Sequence, residues 1–130
     1  MPIQCSISHG KRLVVAIAKD KLLASDLVGF LFDLDREKAG AYRKMFDISS
    51  VTSLLSDERV ETFAEIIRER EQNSPAGPLA LVARGPALVR QARMFAAKAQ
   101  GRRAIRVFPE QHEARRWLDS LPDDRAEQAG

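Results

Sequence analysis

Two groups of side chains have types and positions that suit anion or phosphate chemistry, and the first is a pair of serines. Ser49 and Ser50 follow a strand candidate at residues 44–48 and open a hydroxyl-rich connection, 49–56, that leads into a helix. A phosphate accepted there would be stabilised by the helix N-terminus. Capping of the helix by one or two of these hydroxyls is the alternative.

Arginines after the next strand form the second group. Residues 84–116 carry nine basic side chains against two acidic ones, although the net charge of the 130-residue chain is only +3. Arg84 lies between an apolar strand and the start of a helix, where open α/β sheets usually bind ligands. Together with Arg90 and Arg93 on that helix, it is a candidate contact for an anion or a partner. A solvated arginine-rich surface is the alternative.

Other catalytic and metal-binding chemistry has little support in the residue content. The single cysteine, Cys5, alternates with Ile3 and Ile7, which predicts a small buried hydrophobe rather than a reactive thiolate. His9 and His112 lack the spacing of zinc ligands. Neither GxxxxGK[ST] nor GxGxxG occurs. We therefore predict no catalytic residue, no metal and no cofactor, with an enzyme acting on an anionic substrate through Arg84 as the least favoured alternative.

The first predicted helix offers side chains for an apolar pocket. Leu27, Phe30, Leu31 and Leu34 recur at spacings of three and four, as on the inward face of an amphipathic helix. Phe32 lies off this stripe and has no obvious place in the core. If the protein is a carrier of a lipid or another small apolar molecule, the pocket that this alternative needs would be lined by Phe30, Leu31, Phe32 and Leu34.

The elements that must position these residues alternate regularly along the chain. Residues 3–7 and 13–18 read as a β-hairpin, because the first run alternates polar and apolar residues and Gly10 lies in the turn between them. Strands and helices then alternate, giving the order β-β-α-β-α-β-α-β-α and predicting a mostly parallel mixed sheet. We expect one α/β domain over residues 1–121 and a frayed polar tail over 122–130.

The lengths of the apolar runs and the cysteine content indicate where in the cell the protein is found. The longest apolar run, Leu13 to Ala18, is too short to span a bilayer, and no signal peptide opens the chain. One cysteine cannot form an internal disulfide, which suits a reducing compartment. We predict a cytoplasmic protein.

The segment from Leu79 to Leu121 resembles the SpoIIAA-like proteins, a branch related to STAS domains. Its shared features are an Ala-Arg-Met-aromatic element in a helix, a strand close to "RVF", and a final helix with "A-x-x-W-L". They stand here as Ala92-Arg93-Met94-Phe95, Arg106-Val107-Phe108 and Ala114-Arg115-Arg116-Trp117-Leu118. The resemblance implies a sheet opened by a hairpin and continued by βα units, and a non-enzymatic role. The wider fold is compared with Sec14-type lipid carriers.

One family feature is missing. Related anti-sigma antagonists carry an Asp-Ser-[Ser/Thr]-Gly element whose serine is phosphorylated, whereas this chain reads Asp47-Ile48-Ser49-Ser50-Val51. Because the glycine is absent and the serines are displaced, the phosphorylation switch is not carried over.

These observations predict a regulatory binding module that recognises a partner protein or a small ligand, with a lipid or small-molecule carrier as the alternative. We expect no nucleic-acid partner, because no aromatic side chains are interleaved with the arginines to stack on bases. We also expect a homodimer, since edge strands at residues 3–7 or 105–108 can pair between copies.

Overall fold

A computed structural model describes residues 2–122 of the chain, so most of the tail predicted at 122–130 lies outside the described residues. The nine elements follow the predicted order. They are β1 (Ile3–Ser8), β2 (Leu13–Lys21), α1 (Ala24–Arg36), β3 (Arg43–Ser53), α2 (Asp57–Asn73), β4 (Leu79–Val82), α3 (Pro86–Ala99), β5 (Ile105–Phe108) and α4 (Gln111–Ser120).

The five strands form one mixed sheet in the order β1-β2-β3-β4-β5. β1 is antiparallel to β2, and every later pair is parallel. Because each new strand is added on the same side of the last, right-handed crossovers place α1, α2 and α3 on one face. The chain therefore has the architecture predicted from the alternation of strands and helices.

Two apolar clusters cover the two faces of the sheet. The larger joins alternate residues of the strands, such as Val14, Phe46 and Leu81, to α1, α2 and α3. The smaller joins Met45, Val82 and Phe108 to α4 on the opposite face. The alternation of side chains along each strand supplies both clusters, because neighbouring residues point to opposite faces.

Cys5 is exposed, so the prediction of a buried residue was wrong. It lies on the edge strand β1 and pairs with Ala16 of β2. Residues Ile3 and Ile7 on the same face are only partly buried, because the helices do not fully cover this edge. Partial burial raises the pKa of the Cys5 thiol, and the negative charges of Asp33 and Glu37 raise it further. These surroundings disfavour the thiolate, which is the reactive form of cysteine.

Candidate functional site

An apolar cavity of about 180 Å³ lies between the sheet and helices α1, α2 and α3. On one side it is bounded by Leu27, Leu31 and Leu34, which share a face of α1 because they are three and four residues apart. Phe30 packs edge-to-face on Phe46 of β3, with ring centroids 5.3 Å apart, and anchors α1 to the sheet. The stripe that sequence assigned to the core thus forms one wall of a cavity.

The opposite wall comes from α2 and α3. Phe63 of α2 stacks on Phe95 of α3 with ring centroids 5.9 Å apart, and Ile67 and Ala92 continue the wall. Within residues 2–122, α2 packs closely against α3 but has no comparably close backbone contact with α1. The cavity is the space that this unequal spacing leaves between α1 and α2.

The cavity is open to solvent where β3 leads into α2. Leu54 lines this opening and is 44% exposed. Gln91 of α3 is buried beside it, and its amide donates hydrogen bonds to the Leu55 carbonyl (2.5 Å) and to Asp57 Oδ1 (3.2 Å). These bonds fix the connection between β3 and α2 and satisfy a polar group beside the apolar space.

The other end of the cavity is charged. Lys44 of β3 is 4% exposed, and its Nζ donates to the carbonyl oxygens of Gly40 (2.5 Å) and Tyr42 (2.8 Å). Arg103 lines the same end. Arg70 of α2 pairs with Asp35 of α1 at 2.6 Å, an ion pair that bridges the two helices. The cavity is therefore apolar along most of its length and lined at one end by charged side chains of both signs.

Three of the four predicted pocket residues line this cavity, namely Phe30, Leu31 and Leu34. Phe32 does not; it is 66% exposed, so its predicted place in the pocket was wrong. Two helix positions separate it from Phe30, and residues two apart point in very different directions.

Sequence reasoning missed the charged end. The signal for Lys44 was available, because period-two alternation places it on the same sheet face as Phe46 and Ile48. Arg103 carried no such signal, because it lies in the loop between α3 and β5.

A comparison with solved structures decides the fold. The chain superposes on the crystal structure of an uncharacterized DUF3478-family protein from Shewanella loihica PV-4, described as having a SpoIIAA-like fold. The TM-score is 0.58 at 17% sequence identity, with 89% of this chain and 93% of that chain covered. The fold is SpoIIAA-like. No protein-family model matches the sequence, and no curated protein does.

The SpoIIAA-like fold places the two predicted serines inside β3, where sequence predicted a loop. The strand continues to Ser53 because the end of β2 pairs with it, with Lys19 opposite Ser50. Ser56 instead caps α2, with its side chain accepting a hydrogen bond from the Arg59 amide. Neither Ser49 nor Ser50 thus lies at a helix N-terminus.

Ser49 is held by a buried carboxylate. Its hydroxyl and its amide both donate to Asp47 Oδ1, at 2.6 and 2.8 Å. Asp47 is 5% exposed, and its other oxygen accepts a bond from Gln111 at the start of α4 at 2.5 Å. This network links β3 to α4 and engages the Ser49 hydroxyl, whereas Ser50 is exposed.

The predicted arginine contacts are not gathered into one site. Arg90 forms a two-bond ion pair with Asp57 at the start of α2, at 2.9 and 3.2 Å. Arg84 faces Glu110, just before α4, at 3.8 Å. Arg93 is exposed on α3. Because Arg84 and Arg90 face carboxylates on opposite sides of the sheet, they do not converge on one anion.

Two further features bear on the classes of function. Within residues 2–122, no group of three or more His, Cys, Asp or Glu side chains is placed to hold a metal ion. In the same part of the chain, no helix combines the length and apolar character needed to cross a membrane.

Proposed function

We propose that this chain is a non-catalytic binding module that holds a small apolar or amphipathic molecule in the cavity between α1 and α2. The observation that carries the proposal is the cavity itself, because a well-packed domain of this size has few voids larger than a water molecule. Binding sites for small molecules are typically concave and mostly apolar, with a few polar groups that orient the ligand. The lining of this cavity has that character.

The size of the cavity limits the ligand. Its volume of about 180 Å³ is close to that of engineered protein cavities of roughly 150 Å³ that bind benzene. We therefore expect a compact ring or a short chain of about six to ten non-hydrogen atoms to fit without movement of the helices.

An enzymatic role has weaker support. The alternative of an enzyme acting on an anionic substrate needed Arg84 and nearby hydroxyls to face one site. Arg84 instead faces Glu110, and the Ser49 hydroxyl bonds to Asp47. Both groups are engaged in contacts that hold elements of the fold together.

Recognition of a protein is the second candidate function, and a different observation favours it. Phe32 and Val28, one turn apart on α1, are 66% and 39% exposed. An exposed aromatic side chain beside another apolar residue is typical of surfaces that bind proteins, whether a partner or a second copy of the chain.

Native mass spectrometry of gently purified protein tests both functions with two neighbouring substitutions. Leu31→Trp fills the cavity, whereas Phe32→Ser changes only the outer side of α1. We expect the wild type and Phe32→Ser to carry a small ligand, or to take up added octanol, and Leu31→Trp to carry none. If the wild type shows only the mass of the protein and takes up no octanol, the carrier proposal is overturned. If the wild type shows the mass of a dimer or of a complex with another protein, and Phe32→Ser does not, protein recognition is favoured.

A further inference from the structure

The opening of the cavity near Leu54 carries a side-chain amide that the protein uses only in part. Gln91 of α3 lines the cavity and is 8% exposed. Its Nε2 donates to the Leu55 carbonyl at 2.5 Å and to Asp57 Oδ1 at 3.2 Å. Both partners are acceptors, so the atom that faces them is the nitrogen, and the remaining polar atom of the amide is the carbonyl oxygen, Oε1.

The Oε1 atom of Gln91 is an acceptor without a donor. Both side-chain hydrogen bonds of Gln91 use Nε2, and no donor among residues 2–122 is bonded to Oε1. The atom also keeps some accessible surface, because the only fully buried side-chain nitrogen or oxygen without a partner in this part of the chain is Arg103 Nε. A donor group of a molecule in the opening can reach Oε1, and a hydrogen bond there would stabilise the complex.

The walls beside Gln91 favour an aromatic ring. Phe95 lies four residues further along α3 and therefore shares a helix face with Gln91. It stacks on Phe63 of α2 with ring centroids 5.9 Å apart, and Phe30 and Phe46 also line the cavity. Aromatic rings pack favourably on one another in stacked and edge-to-face arrangements. A single six-membered ring also fits the cavity volume of about 180 Å³.

The donor that suits this position is an uncharged hydroxyl. A carboxylate has no proton to give to Oε1, and its charge would lie close to the carboxylate of Asp57, which bonds to the same amide. A phenol loses its proton only at a pH of about 10, so at neutral pH it is an uncharged donor.

We infer that the cavity binds a small phenol, that is, a single aromatic ring with a hydroxyl group. The ring packs against Phe95 and Phe63, and the hydroxyl donates a hydrogen bond to Gln91 Oε1. The inference rests on the proposed function but goes further, because a purely apolar site would gain nothing from a hydroxyl on its ligand.

The compounds p-cresol and p-xylene are the matched probes, because they differ only in a hydroxyl or a methyl group at one ring position. NMR titration at pH 7 measures both affinities. Their ratio is the quantity to compare between variants, since the hydroxyl gives up hydrogen bonds to water when it is buried. Gln91→Leu should weaken p-cresol binding about tenfold and leave p-xylene binding unchanged.

Gln100→Leu is the matched control, because it makes the same substitution at an exposed residue that follows the same helix. It should leave both affinities unchanged. A measurement on the wild type replaces the variant if Gln91→Leu does not fold. The side-chain carbonyl carbon of Gln91 should move to higher NMR frequency when p-cresol binds, because its oxygen then accepts a hydrogen bond. It should move much less with p-xylene.

The outcomes separate the inference from the proposed function. If Gln91→Leu has the same effect on both probes, or no effect on either, the phenol inference is overturned and a general apolar carrier remains. Equal movement of the Gln91 carbonyl signal with p-cresol and p-xylene would overturn it as well. If neither probe shifts the NMR signals of cavity-lining residues, the proposed function itself is overturned.

Discussion

At the scale of single residues, charge on its own proved a poor guide to a binding site. Arg90 belongs to a basic stretch and was a candidate anion contact, yet it pairs with Asp57 of its own chain. The two residues lie 33 positions apart in sequence, so only the packing of α2 against α3 brings them together. By contrast, Lys44, which is buried, and Arg103, which is partly buried, line the cavity although neither was a candidate in the sequence.

The Arg90–Asp57 pair has a measurable consequence for the pH dependence of folding. Hydrogen bonds from Arg90 and Gln91 lower the pKa of the Asp57 carboxyl. Because the folded pKa is below the unfolded value of about 3.9, the stabilisation is complete above that value. It is lost as the pH falls through the folded pKa. We expect an NMR titration of the side-chain carboxyl carbons to place Asp57 below ordinary aspartates.

Arg90→Gln tests the cause of this shift. The substitution should move the pKa of Asp57 back toward its ordinary value and reduce the acid-dependent part of the stability. Arg93→Gln, which changes an exposed arginine of the same helix, should leave the Asp57 pKa unchanged. An Asp57 pKa that is the same in Arg90→Gln and in the wild type would contradict the assigned cause.

At the scale of elements, sequence predicted the existence of each helix and strand better than its length. β3 was expected over residues 44–48 but extends to Ser53. The hydroxyl-rich segment 49–53 resembles a loop in composition. It becomes a strand because it pairs with the far end of β2. That pairing depends on the parallel register of two strands separated by α1, which local sequence does not encode.

The loop between α2 and β4 shows the same dependence on a distant contact. Gly77 packs against the turn before β3, its amide bonding to the Gly40 carbonyl at 3.1 Å. A Cβ at this position would overlap the carbonyl oxygens of Ala41 and Tyr42, which are backbone atoms that cannot easily move. The close approach of these two segments forms the charged end of the cavity.

Gly77→Ala should therefore destabilise the protein by about 1 to 3 kcal/mol, as expected when a tightly packed site is overfilled. Urea denaturation measures the change in the free energy of unfolding. Gly10→Ala is the control, because nothing lies within 4 Å of the Cβ it would add. We expect the control to stay within about 0.5 kcal/mol of the wild type. Equal stability of the two variants would contradict the prediction, because the loop would then have moved to make room for the added Cβ.

At the scale of the whole molecule, the strand and helix order and the α1 wall of the cavity could be predicted, but the opposite wall could not. The hairpin and the alternation that follows it are encoded in local patterns, and the SpoIIAA-like fold agrees with them. The stripe of Leu27, Phe30 and Leu34 predicted which face of α1 turns inward. It could not predict that α2 would lie closer to α3 than to α1, because helix spacing is set by packing across the whole layer.

The placement of helices on both faces of the sheet gives a last prediction for the intact protein. The cavity belongs to the layer of α1, α2 and α3, whereas α4 packs on the other face of the sheet. A bound ligand suppresses those local openings of the protein that would release it. The largest expected reduction equals one plus the free ligand concentration divided by the dissociation constant. With octanol at about one hundred times that constant, amides of α1 and α2 that exchange by such openings should exchange up to about a hundredfold more slowly.

Hydrogen exchange followed by NMR measures this contrast within one sample. Amides of α4 that exchange by local opening should be unaffected, because those openings leave the cavity on the other face of the sheet intact. Leu31→Trp, whose cavity is filled, should show no response to octanol in α1, α2 or α4. Equal slowing of locally exchanging amides in α1 and α4 would place the ligand elsewhere, since a molecule held between α1 and α2 protects one face of the sheet and not the other.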